Sequence, residues 1–163
     1  MKILSMKTTI FLGAMLSLLV CLMFTGCSNS ETNSTSRGLT DFAHIEEEYL
    51  ATIDSLNWPD GITLPDKLED EDTGASFQVG YGETRASYLW EYSWMKEWLY
   101  TYNTDPERAE KALEELEKAF DMPYMGIDRC DDATRNYLRE NIDKAKLGDP
   151  SGFTESIRAN YAN

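Results

Sequence analysis

The sequence predicts an all-α fold, a small bundle of about four to five helices around one aromatic central helix, with one long irregular loop. Three observations predict it. Apolar residues after position 38 recur at intervals of three or four, the period of a helix with one buried face. Capping residues, prolines and glycines mark the ends of these segments. Neither internal repeats nor a convincing pair of strands is visible, although residues 75–79 suit one short strand.

The first predicted helix runs from about Asp41 to Leu56, with Thr40 or Asp41 as its cap. Its apolar residues share one face: Phe42, Ile45, Tyr49, Ile53 and Leu56. The next segment, residues 57–83, contains two of the five prolines and four of the ten glycines. That density of chain-turning residues predicts a long connection rather than a regular element.

The second predicted helix, from about Glu83 to Tyr102, is the aromatic centre of the sequence. Its large apolar residues are Tyr88, Leu89, Trp90, Tyr92, Trp94, Met95, Trp98, Leu99, Tyr100 and Tyr102. At 100° per residue most of them cover an arc of roughly 200°. We therefore expect the other helices to surround this one.

The same projection places Glu91 inside the apolar arc. Its neighbours there are Trp94, Met95, Trp98 and Tyr102. A carboxylate in such a place must be paired, hydrogen-bonded or held protonated. One interpretation is an acid with a shifted pKa, or a ligand-binding group, in an aromatic pocket. The other, which we favour, is an internal ion pair with an arginine such as Arg129 or Arg135.

The tryptophans of this helix, Trp90, Trp94 and Trp98, also have two interpretations. An aromatic stripe at helical spacing is usually part of a core, and we favour that interpretation. The alternative is a surface on which sugar rings or peptide side chains stack. Together with Glu91, these tryptophans form the candidate ligand-binding set. We assign no catalytic residue and no metal ligand, and we expect no cofactor.

The third predicted helix begins near residue 104. Thr104 and Glu107 have the spacing of a capping box, and Pro106 falls in the first turn. These signals predict that Thr104 is the cap. The helix then continues to about Phe120.

Two further helices complete the predicted bundle. The fourth opens at Asp131 or Asp132 and ends at Leu147, immediately before a glycine. A short fifth helix is capped at Asp149 and reaches Tyr161.

The N-terminal segment has the organisation of a secretory leader. Lys2 and Lys7 supply a positive charge, and residues 10–24 follow as a mainly apolar run. This run is too short for a comfortable membrane span. A leader of this kind would direct the chain out of the cytoplasm.

A small residue precedes a cysteine at the end of this leader, in the order Phe24-Thr25-Gly26-Cys27. The arrangement resembles the signal peptide and lipobox of bacterial lipoproteins, in which a peptidase cuts just before a cysteine that carries a diacylglyceryl group. The resemblance implies that Cys27 becomes a lipid-carrying N-terminus on the extracytoplasmic side of a bacterial membrane. The alternative is an ordinary signal peptide, or an uncleaved N-terminal helix, with an idle thiol at Cys27.

These features divide the chain into three parts. Residues 1–26 form the signal peptide, which is removed. Residues 27–38 contain the lipidated cysteine and a short polar stretch without apolar periodicity, which predicts a flexible tether. Residues 39–163 form the helical domain.

The charge of the chain limits its partners. The sequence has 29 acidic and 15 basic residues and a formal net charge of −14, and removal of Lys2 and Lys7 makes the product more negative. Such a body is repelled by nucleic acid and by anionic lipid headgroups. Nucleic-acid binding is therefore excluded, and we expect the lipid on Cys27 to make the membrane contact. Cys130 is the one cysteine of the helical domain, so the core rather than a disulfide framework must hold the fold.

Several weaker candidates have structural interpretations. The acidic run consists of Asp66, Glu69, Asp70, Glu71 and Asp72. It lacks the further ligands of a calcium loop, and we interpret it as a solvated loop. We interpret Gly80-Tyr81-Gly82 as a tight turn rather than an anion site, and His44 as a surface residue.

Two functional hypotheses remain. The favoured one is a non-enzymatic binding or interaction module of the cell envelope, whose partner is another envelope protein or a small ligand. The alternative is a hydrolase of cell-wall glycans or peptides that uses Glu91 and a second acid from residues 66–72. An open aromatic groove with two carboxylates would favour the hydrolase, whereas fully buried rings with no cleft would favour the module.

Overall fold

The computed structural model describes residues 38–69 and 71–160. The predicted signal peptide, Cys27 and the tether up to residue 37 lie outside these residues. In chain order the elements are β1 (Leu39–Thr40), α1 (Phe42–Ser55), β2 (Phe77–Gln78), α2 (Tyr81–Thr101), α3 (Pro106–Glu117), α4 (Asp132–Lys146) and α5 (Ser151–Asn160). Two short 3-10 helices, Lys118–Asp121 and Pro123–Met125, connect α3 to α4. The predicted all-α class, with a long irregular connection between the first two helices, is confirmed.

Two helices begin where the sequence predicts. Asp41 caps α1, because its Oδ1 accepts a hydrogen bond from the backbone N–H of His44 at 3.0 Å. Asp131 caps α4 in the same way, with the N–H of Thr134 as donor at 2.7 Å. Each carboxylate satisfies one of the amides that a helix leaves unpaired at its first turn.

The start of α3 corrects the prediction by one residue. Its cap is Asp105, whose Oδ1 accepts from the N–H of Arg108 at 3.2 Å, and not Thr104. The hydroxyl of Thr104 instead donates to the carbonyl of Tyr100 at 3.4 Å. Thr104 and Asp105 are both residues that can cap a helix. The hydroxyl of Thr104 is bonded to α2, so Asp105 caps α3.

A pair of very short strands was not predicted. Leu39 lies opposite Gln78 and Thr40 opposite Phe77 in an antiparallel register. The second strand lies within residues 75–79, where one short strand was predicted. Its partner was not predicted, because a strand of two residues is too short to show an alternating pattern. The pairing fastens the beginning of the helical domain to the end of the long connection.

Helices α1 and α2 approach each other closely at the start of α2. A Cβ at Gly82 would lie 1.8 Å from the carbonyl oxygen of Ile45, so only glycine fits there. Glu48 of α1 accepts hydrogen bonds from the N–H groups of Gly80 and Gly82 at 2.7 and 3.1 Å. The turn before α2 therefore holds an anion, and that anion is a side chain of the same protein. This contact explains why α2 begins two residues earlier than predicted, at Tyr81.

Buried apolar residues form two clusters, and α2 contributes to both. The tryptophan core consists of Trp90, Trp94, Met95, Trp98, Ala109, Ala112, Leu116, Ala119, Tyr124, Met125, Leu138, Ile142, Ala145 and Phe153. The α1 core consists of Ile45, Tyr49, Ile53, Leu68, Phe77 and Ala86. The aromatic helix is thus central, as predicted.

The long connection is held against α2 by indole hydrogen bonds. The Nε1–H groups of Trp90 and Trp94 both donate to the carbonyl of Asn57, at 2.8 and 3.1 Å. A buried indole needs such an acceptor.

Within residues 38–69 and 71–160, every helix is too short or too polar to cross a bilayer.

Candidate functional site

The candidate tryptophans lie inside the protein. Trp90 and Trp94 are each 1 % exposed and Trp98 is 2 % exposed. Trp98 stacks on Tyr102 with ring centroids 4.6 Å apart and meets the edge of Phe153 at 5.3 Å. Their interpretation as core residues is confirmed. Rings packed in this way offer no open face on which a sugar could stack.

Glu91 is buried as the helical projection predicts, at 7 % exposure. Its Oε2 accepts a hydrogen bond from the phenol of Tyr124 at 2.8 Å, and Tyr124 comes from the second 3-10 helix. Among the described residues Glu91 has no ion-pair partner. The acid is therefore hydrogen-bonded through one oxygen and not neutralised by a cation.

The predicted ion pair with Arg129 or Arg135 is wrong. Arg129 pairs with Glu83, with Nη1 and Oε2 2.7 Å apart. Arg135 pairs with Asp132 and donates to the backbone carbonyls of Met125 and Cys130. Both guanidinium groups therefore bind other acceptors.

Burial changes the acid strength of Glu91. Desolvation raises the pKa of this carboxyl to about 7, and the hydrogen bond from Tyr124 opposes the rise. A carboxylate out of water loses hydration that a single phenol does not replace. At neutral pH both the acid and the carboxylate forms of this side chain are therefore populated.

A cavity of about 310 Å³ opens beside this carboxyl group. Its lining residues come from α2, the second 3-10 helix, α4 and α5, and are Tyr88, Glu91, Met125, Thr134, Tyr137, Leu138, Ser156 and Asn160. We call this space the Glu91 cavity. Its volume is at the lower end of the range for small-molecule sites.

The lining of the Glu91 cavity is aromatic and polar. Tyr88 and Tyr137 are each 40 % exposed, so both rings reach solvent at the edge of the cavity. Tyr88 also meets Tyr124 edge to face, with ring centroids 5.6 Å apart. Burial raises the pKa of the Tyr88 phenol, and the nearby Glu91 charge adds to the rise. Tyr88 therefore stays protonated and can donate a hydrogen bond at neutral pH.

A second cavity, of about 510 Å³, adjoins the first and shares Tyr88 and Asn160 with it. Its lining includes the basic side chains of Lys67 and Arg85, and both form ion pairs with acids of the predicted acidic run. Lys67 pairs with Glu69 at 2.8 Å, and Arg85 pairs with Glu71 at 3.2 Å.

The acidic run is therefore only partly a solvated loop. Glu71 is largely buried and also accepts a hydrogen bond from the phenol of Tyr81 at 2.7 Å, whereas Asp70 lies outside the described residues. No group of three or more metal-ligating side chains occurs in the described part of the chain.

The remaining candidates have structural roles. His44 is exposed, and its Nε2 lies 3.3 Å from Oε1 of Glu48, on the polar side of α1 as predicted. Burial, more than the acidic neighbours, raises the pKa of the Cys130 thiol. A thiol with a raised pKa is a poor nucleophile at neutral pH.

The sequence pointed to Glu91 but missed the rest of its site. Tyr124, which binds the carboxyl group, is 33 residues further along the chain. Tyr137, Ser156 and Asn160 come from α4 and α5, and they were assigned no role from the sequence. Only the packing of four elements brings these groups together, and no local pattern records that packing.

Comparison of the chain with models of protein families, with curated proteins and with solved structures found no match.

Proposed function

We propose that the mature protein is a lipid-anchored, extracytoplasmic binding protein of a bacterial cell envelope, and that its ligand occupies the Glu91 cavity. The observation that carries the proposal is a buried acid, hydrogen-bonded through one oxygen, beside a cavity with an aromatic and polar lining. Unbalanced buried acids reduce stability. Proteins retain such groups mainly at functional sites.

Binding is favoured over hydrolysis by the composition of the cavity. Glycoside hydrolases of the usual kind place two carboxylates on either side of the bond that breaks. Among the described residues that line the Glu91 cavity, Glu91 is the one carboxylate. Glu69 and Glu71, from the run that was to supply the second acid, are paired with basic side chains. We therefore propose a non-enzymatic module.

The anchor is tested by changing the cysteine of the lipobox. Cys27→Ala should abolish incorporation of labelled palmitate, because the tether has no other residue that can form the thioether. Cys21→Ala is the matched control and should leave labelling unchanged, since bulky Val20 precedes Cys21. Labelling that survives in Cys27→Ala would contradict the anchor.

The cavity is tested by filling its edge. Thr134 is exposed, belongs to α4 and lines the Glu91 cavity. A Thr134→Trp variant should lose small-molecule binding, whereas Asn136→Trp, an exposed change on the same helix, should keep it. The measurement is ligand-observed NMR with a mixed set of neutral, anionic and cationic fragments. Equal binding to both variants, or no fragment bound by the parent, would contradict a binding site here.

A further inference from the structure

We infer that the ligand of the Glu91 cavity is a small organic ammonium ion that carries at least one N–H, of the primary-amine class. The inference rests on the proposed binding role and names the chemical class of its ligand. It depends on the hydrogen-bonding capacity of Glu91, on the charges around it and on the lining of the cavity.

One carboxylate oxygen of Glu91 accepts no hydrogen bond from the described residues. Tyr124 donates to Oε2 of Glu91, and the described residues provide no donor to Oε1. The side chain as a whole is more than nine-tenths buried and borders the cavity. Oε1 is not one of the fully buried side-chain atoms that lack a partner in the described part of the chain, so it is open to solvent. A ligand that fills the cavity and displaces this solvent must bring its own hydrogen-bond donor, because an acceptor that loses its hydrogen bond is costly.

The described residues that line the Glu91 cavity bring no positive charge to it. The titratable groups around Glu91 are Tyr88 on its own helix, Tyr124 on the second 3-10 helix, Cys130 in the following turn and Tyr137 on α4. The described lining residues from α5, Ser156 and Asn160, are neutral. Arg135 on α4 is the cation that contacts these neighbours, but its guanidinium pairs with Asp132 and donates to the carbonyls of Met125 and Cys130. None of the described residues that line the cavity is a cation, so a ligand must supply the positive charge that would balance an ionised Glu91. A donor that carries that charge forms a stronger hydrogen bond than a neutral one.

The rest of the cavity lining includes aromatic and apolar side chains. The rings of Tyr88 and Tyr137 border the space, and the electron-rich faces of aromatic rings attract ammonium groups. Met125 and Leu138 provide apolar surface for the carbon part of such a ligand. An ammonium group attached to a small apolar or aromatic body matches this combination. The strongly acidic surface of the protein also concentrates cations around it.

Binding of an ammonium ion should be linked to pH. In the empty protein Glu91 has a pKa of about 7, and only its carboxylate form pairs with the cation. The affinity for an amine that stays protonated over this range should therefore rise about 30-fold between pH 5.5 and pH 8, as the ionised fraction of Glu91 grows. At pH 5.5 each binding event should release close to one proton.

The test uses three probes of similar shape. They are 2-phenylethylamine, its neutral analogue 2-phenylethanol, and trimethyl(2-phenylethyl)ammonium, which has the charge but no N–H. Isothermal titration calorimetry is performed on the full chain in a nonionic detergent, with detergent alone as the blank. We expect the amine to bind at least tenfold more tightly than either analogue.

Variants connect the result to Glu91. Glu91→Gln should weaken amine binding at least tenfold and remove its pH dependence, with little change for the alcohol. Glu97→Gln is the matched control, because Glu97 lies on the same helix and pairs with Arg108 outside the cavity. This control should bind the amine as the parent does.

Three results would overturn the inference: an amine that binds no better than the alcohol, an amine that does not bind, or amine binding that survives in Glu91→Gln. If neutral or anionic fragments still bind and Thr134→Trp blocks them, the binding role stands and only the ammonium class is wrong. If Thr134→Trp blocks nothing, the binding role itself fails.

Discussion

Glu91 and Trp94 occupy almost equally buried positions three residues apart on α2, yet their surroundings differ. Trp94 lies in the tryptophan core, and its indole N–H has an acceptor, the carbonyl of Asn57. Glu91 has a hydrogen bond to one oxygen and a cavity beside it. Burial alone therefore does not distinguish a core residue from a site residue. The distinction depends on whether the protein itself satisfies the buried polar atoms.

The two positions should have opposite effects on stability. The buried indole stabilises the fold through apolar burial and dispersion. The buried carboxyl group reduces stability whenever it ionises. Helix α2 therefore carries one residue that stabilises the fold and one that lowers the free energy of unfolding. Residues of the second kind concentrate at functional sites.

The largest expected effect concerns the packed position. Trp94→Ala should lower the free energy of unfolding by about 3–5 kcal/mol, because the change empties a large aromatic site. Urea denaturation at pH 7 measures it. Tyr100→Ala, which truncates a ring of α2 that is 77 % exposed, is the control and should change stability far less. Equal effects of the two changes would mean that Trp94 is not a core residue.

The next effect concerns the acid. Because the folded pKa of Glu91 is raised from 4.5 to about 7, the folded state holds this proton more tightly than the unfolded state. Stability should therefore fall as pH rises from about 4.5 and level off above about 7, with a total loss from this group of about 3 kcal/mol.

Glu91→Gln should remove that fall in stability and leave the variant at least as stable as the parent at pH 8. Denaturation curves at pH 5 and pH 8 give the comparison. Glu97→Gln, which breaks an ion pair with Arg108, should retain the fall seen in the parent. A large loss of stability in Glu91→Gln at both pH values would show that Glu91 has a cationic partner after all.

The sequence predicted the helices better than it predicted the site, for a physical reason. The signals that predict a helix are local in the sequence. Asp41 and Asp131 cap their helices as expected, because a cap binds an amide only three residues away. The burial of Glu91 followed from the helical period. Its partner did not, because a local pattern does not show which cation the fold brings near: Arg129, one of the two proposed partners, pairs with Glu83 instead.

A smaller effect is expected where α1 meets α2. Gly82→Ala would place a methyl group against the carbonyl of Ile45 and push the helices apart, at a cost of about 1–3 kcal/mol. Gly74→Ala is the control, since a Cβ there makes an ordinary contact of 3.4 Å with Asp72. Equal melting temperatures for the two variants would mean that the α1 core adjusts easily, unlike the tryptophan core.

The smallest effect concerns the side chain that caps α2. Glu48→Ala removes the acceptor for the N–H groups of Gly80 and Gly82 and should cost about 1 kcal/mol, the usual cost of losing a helix cap. Glu47→Ala changes an exposed neighbour and should be close to neutral. Thermal unfolding of both variants measures the difference, and a neutral Glu48→Ala would mean that water caps α2 equally well.

The most direct measurement is a titration of the Glu91 carboxyl carbon by NMR in the ligand-free protein, with Glu91→Gln used to assign the signal. We expect a midpoint near 7, because a buried acid without a cationic partner resists ionisation. A midpoint near the ordinary value of 4.5 would contradict this expectation. Glu91 would then be solvated or paired, and nothing would distinguish the cavity beside it as a ligand-binding site.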